Sequence, residues 1–160
     1  MKTAEESYLM SIMVFVMVAL NGLLLSANGM FMLVAPEAWY HSVPGVTTTG
    51  FYNQHFIRDI GIIQLFLGVA FVVGMIRPER RIALWAVATL WLAAHAAFHL
   101  WEVAVGICSP SALLRDFPAV SLPAIVGTML TIWAIRRADA GKGATAGIVP
   151  GPASPLPSGT

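Results

Sequence analysis

Apolar residues run through this chain in long blocks separated by short polar segments. Four of the blocks carry no formal charge: Ser7–Pro36, Ile60–Ile76, Ile82–Trp101 and Phe117–Ile135. A helix rising about 1.5 Å per residue needs about 20 apolar residues to cross the hydrocarbon core of a bilayer. The blocks therefore predict an all-α fold, a bundle of four transmembrane helices over about 8–34, 54–76, 82–107 and 117–136. Pro36 stops the first helix, and Arg77-Pro78-Glu79-Arg80-Arg81 makes the second and third a tight hairpin. Pro118 suits the first turn of the fourth helix. Trp39, Tyr40, Phe51 and Tyr52 in the first connection suit the headgroup region, where amphipathic rings collect. Beyond Arg137 the chain turns to Gly, Ala, Pro and Ser. Residues 138–160 cannot bury enough apolar surface to offset their ordering entropy, so a disordered cytoplasmic tail is expected after the transmembrane domain of residues 1–137.

Composition sharpens this picture. The chain is 58% hydrophobic and 11% charged, against about a quarter charged in a soluble domain. Its net charge of +1 gives no basic field for nucleic acid. The single cysteine, Cys108, allows neither an internal disulfide nor a CxxC site. Phosphate-binding loops, dinucleotide-binding glycine patterns and nucleophile elbows are absent, which removes the common soluble enzyme classes. Glu5 and Glu6 suit a signal peptide poorly, and the apolar run after them is too long for one, so a retained first helix is expected. Lys2, Arg77, Arg80, Arg81, Arg136, Arg137 and Lys142 fall on one side of a four-crossing topology, with Arg58 and Arg115 on the other. Basic loops stay in the cytoplasm. The expected protein is thus a multi-pass protein of the bacterial inner membrane with both termini cytoplasmic. Its partners are the lipid bilayer and a membrane protein or second copy of itself, with no nucleic acid.

Candidate chemistry lies in the polar residues of the middle helices. In a hairpin, residues equidistant from Glu79 share a depth, which matches Asp59 with His99, His55 with Glu102, and Gln64 with His95. His95, His99 and Glu102 stand at i, i+4 and i+7 on one helical face, and His55 and Asp59 at i, i+4 on another, which Ile62 and Phe66 continue. Ionisable groups at membrane depth are costly, so both faces are expected to turn inward and meet. Asn21 and Asn28 on the first helix need partners for the same reason. His41, in the outer connection, is on the side to lie over such a site.

Imidazole and carboxylate donors at this spacing suit a transition metal, copper, zinc or iron, with His95, His99 and Asp59 as ligands and Glu102 and His55 as further ligands or orienting groups. Haem fits less well, because His95 and His99 share one helix and cannot be opposed axial ligands. Two other readings stay open. Asp59 and His99 could carry protons in a quinone or small-molecule pocket. The polar groups could instead only organise helices in a non-catalytic accessory subunit, with Arg58 pairing Glu102. The stripe Met10, Met13, Met17 lies at the far end of helix 1 and reads as packing.

The segments Ala38–Val46, Asn53–Gly61 and His95–Glu102 resemble a family of small bacterial membrane proteins to which no activity attaches. In size and topology the chain is also similar to small four-helix membrane proteins of the DoxX type. That likeness implies a fold and, for some members, company with redox enzymes.

Overall fold

A computed structural model describes residues 4–146, all of whose regular elements are helical. They are α1 (Ala4–Val34), α2 (Pro36–Ser42), a short 3-10 turn (Val46–Thr48), α3 (Gln54–Ile76), α4 (Arg81–Ala104), α5 (Ala112–Asp116) and α6 (Ser121–Ala146). Three of them, over Tyr8–Val34, Gln54–Ile76 and Arg81–Ala104, are long and apolar enough to cross a membrane.

Local chemistry sets the boundaries. Glu5 and Glu6 in the first turn of α1 complement the helix dipole. Ala35 leaves the helical region (φ −135°) because Pro36 follows, and Pro36 then opens α2. Asn53 caps α3, its side chain accepting the Phe56 N–H at 3.1 Å. Pro78 closes α3. The third helix ends at Ala104, short of the expected 107, because Gly106 takes a left-handed φ of 78°. There the N–H groups of Ile107 and Cys108 turn back onto the Glu102 carbonyl at 2.9 and 3.1 Å.

The last helix differs more from expectation. The chain makes α5, turns through Phe117–Val120, and starts α6 only at Ser121. Pro118 has no N–H to give to a continuous ladder. Within α6, fifteen residues from Ser121 to Ile135 precede the Arg136-Arg137 pair, too few to cross a bilayer unaided. At its far end α6 runs on to Ala146, into the stretch expected to be disordered. Ala138, Ala140, Ala144 and Ala146 are strong helix formers, and Lys142 meets Asp139 at 3.7 Å one turn away. The remainder of that expected tail, 147–160, lies outside the described residues.

α1 packs along α3, α4 packs on α6 and α3, and α6 also touches α1. The α1–α3 contact is built on glycine. Gly22 and Gly29 face Gly68 and Gly61, each pair seven residues apart, so the backbones approach closely. A Cβ at Gly29 would stand 2.6 Å from the Gly61 carbonyl oxygen, and one at Gly68 would strike Ser26 and stand 2.5 Å from the Gly22 oxygen. Phe71, Trp85, Leu92, Leu130 and Val18 fill the centre, each 2% exposed or less. The Trp85 indole N–H donates to the Phe71 carbonyl at 3.0 Å, in space that Gly74 leaves open.

Candidate functional site

The two predicted polar faces part company. On α3, His55 Nε2 lies 3.3 Å from Asp59 Oδ2, with the two side chains 88% and 54% exposed. The stripe continues through Ile62, Phe66 and Val69, all exposed, so it lines the outer surface of the molecule rather than facing α4. The face α3 buries is instead the one carrying Ile57, Gly61, Gln64, Gly68 and Phe71. The glycines decide this, since only their side of α3 can approach α1 so closely.

On α4 the expected face is half-buried. Trp91 stacks on the His95 ring (centroids 5.0 Å apart, planes at 19°), and His95 meets His99 edge to face at 4.8 Å. The carboxylate that answers them is Asp116, from α5, with its Oδ2 3.6 Å from His99 Nδ1. That separation is an ion-pair distance, longer than a direct hydrogen bond. Arg115 holds Asp116 through its own Nε and Nη2, which donate to the two carboxylate oxygens at 2.6 and 3.1 Å. These hydrogen bonds keep the Asp116 carboxyl below the usual carboxylate range, against the opposing effect of partial burial, and the Arg115 charge and nearby His99 add to the lowering. Arg115 in turn lies flat against Gly45, whose left-handed φ of 87° and missing side chain let the guanidinium in. The loop after α2 thereby rests on α5. His99, Asp116, Cys108, Ala112 and Ser121 line a recess with room for about one water molecule, and that water could bridge the 3.6 Å gap.

The remaining expected participants are placed elsewhere. Glu102 is half-buried and makes no ion pair among the described residues. Arg58, expected beside it, instead donates its Nε to the Leu33 carbonyl at 3.1 Å, capping the end of α1. His41 is exposed, with its ring contact to Tyr40 at 5.0 Å. The asparagines do find partners: Asn28 Oδ1 accepts the Trp39 indole N–H at 2.9 Å, and Asn21 Nδ2 reaches the Pro123 carbonyl at 3.5 Å. Gln64 is buried with its Oε1 unpartnered among the described residues.

His55, Asp59, His95, His99 and Glu102 thus do not form one ligand set. No group of three or more His, Cys, Asp or Glu among the described residues is placed to hold a metal ion. Asp116 escaped the reading of the sequence because it lies in a connection, outside every charge-free block. Its available signal was a carboxylate beside Arg115, on the same side of the expected topology as the histidines. Neither a protein-family model, nor a curated protein, nor a solved structure matches the chain.

Proposed function

We propose that this chain is a four-crossing protein of the bacterial inner membrane, both termini cytoplasmic, whose outward end handles protons through His95, His99 and Asp116. Three helices have the length and apolarity to cross. In this reading α6 is the fourth, its apolar part lengthened by the Phe117–Val120 turn. The one-sided distribution of arginines orients the whole.

The observation that carries the proton reading is the row of neighbouring groups from Trp91-stacked His95 to His99 to the arginine-held Asp116. An imidazole ring can take up a proton on one nitrogen and release one from the other. The two touching rings and the carboxylate give a proton three adjacent stations between the helix interior and the outer loops. A recess that takes about one water suits proton passage and is too small to enclose a substrate. The proton's destination is then a small molecule, such as a quinone, or a partner protein that reaches the His95 end.

Trp91 is a built-in reporter, because a protonated imidazole stacked on an indole quenches its emission. Acidifying the detergent-purified protein should lower tryptophan emission reversibly. The effect should vanish in His95→Gln and change its pH profile in Asp116→Asn. Identical profiles in all three proteins would discard the proposal. A second reading, the non-catalytic accessory subunit, draws on the exposed His55–Asp59–Ile62–Phe66 stripe, which offers a partner both polar and apolar contacts. It gains if His99→Ala lowers stability while the pH profile stays that of the wild type.

A further inference from the structure

The end of the molecule opposite the histidines gathers arginines around one tryptophan. Arg81 opens α4 and is fixed in place: its Nε donates to the Gly74 carbonyl at 2.9 Å and its Nη2 to the Met75 carbonyl at 3.1 Å. Its guanidinium lies 5.2 Å from the Trp85 ring centroid and 5.7 Å from that of Trp133. Arg137, one turn beyond Trp133 on α6, lies 5.5 Å from the same Trp133 ring. Two cations thus share one indole, each attracted to the ring and repelled by the other.

Neither has a carboxylate partner among the described residues. Arg77 and Arg80 in the adjoining turn add exposed positive charge. Of the acids at this end, Glu79 on the turn forms no ion pair among the described residues, Asp139 is engaged by Lys142, and Glu5 and Glu6 lie in the first turn of α1. Arg81 and Arg137 therefore bring positive charge, with no ion-paired carboxylate among the described residues, to a ring of the type that settles at headgroup level.

A phosphodiester meets this arrangement best. Its oxygens accept from two guanidiniums at once, and anionic phospholipids supply it at high local concentration beside helix ends. We propose that Arg81, Arg137 and Trp133, with Arg77 and Arg80 at the rim, bind the phosphate of an anionic phospholipid in the leaflet at that end. This site rests on the membrane reading and is independent of the proton reading.

The test is reconstitution of the full chain into nanodiscs of phosphatidylcholine with an added share of phosphatidylglycerol. Extraction into neutral detergent and native mass spectrometry then identify the lipids that stay bound. Wild type should retain phosphatidylglycerol over phosphatidylcholine. Arg137→Gln, which leaves the Arg81 cap on α3 intact, should reduce that retention about fivefold. Arg136→Gln, which removes a neighbouring exposed arginine other than the two that lie over the Trp133 ring, should not. Equal retention of the two lipids, or equal losses in both variants, overturns the site in favour of a diffuse surface field. Full displacement of lipid by millimolar inorganic phosphate, with phosphate itself retained, overturns it in favour of a free-anion site. Failure to insert into any bilayer would overturn the membrane reading and this site together, whereas insertion without lipid selectivity overturns this site alone.

Discussion

Asp116 carries more of the candidate site than any residue inside the predicted helices. It reaches His99, anchors Arg115 and, through Arg115, ties α5 to the loop at Gly45. Its folded-state pKa lies below the unfolded value, so its ionisation is linked to stability in a definite direction. The contribution is fully present above the ordinary carboxylate pKa of about 3.9 and is lost as pH falls through the lowered value. Comparing denaturation of wild type and Asp116→Asn from neutral to strongly acidic pH should show wild type more stable near neutrality and the gap closing in acid. A gap independent of pH would mean that Asp116 acts only through packing. The residue was legible in the sequence as a charge, but not as a partner, because the contact joins two segments that only folding brings together.

Among the elements, the α1–α3 pair is the most tightly specified. Its seam is Gly22–Gly68 and Gly29–Gly61, with Ser26 between. Contact at this range is available only where both helices lack a side chain, so the seam selects the rotation of α3 and sends His55 and Asp59 to the opposite, exposed side. Gly68→Ala must displace backbone as well as the Ser26 side chain, and the expected cost is about 1–3 kcal/mol, the usual range for overpacking. Thermal unfolding in detergent should show a lowered midpoint, whereas Gly141→Ala, which meets open space within α6, should not lower it. An unchanged midpoint in Gly68→Ala would refute the seam. Seven-residue glycine spacing on both helices was visible beforehand, and it was the signal that could have oriented α3. The polar residues were the poorer guide, since a His–Asp pair near the end of a helix can satisfy itself at an exposed surface.

At the scale of the whole molecule, the orientation proposed here has a direct probe in the lone cysteine. Cys108 is half-buried in the connection between α4 and α5, on the side assigned to the outside. A membrane-impermeant maleimide should label it slowly in intact spheroplasts and not in inverted vesicles; the opposite pattern would reverse the topology. Of the four crossings the sequence predicted, it located by itself the three helices long and apolar enough to cross a membrane, because apolarity summed over about 20 residues needs no knowledge of neighbours. The end of the first helix and the turn of the hairpin followed likewise from Pro36 and Pro78, whose effects act within one turn, whereas the stop that Gly106 imposes on α4 was missed. Only the tertiary structure decided which face of each helix is interior. Lipid and protein interior are both apolar, so a membrane helix shows little difference between its two faces, and rotation is set by backbone approach and by contacts between distant segments. That is why the hairpin's histidines and carboxylates, matched in depth along the chain, end on different sides of the molecule, and why His99 answers to Asp116.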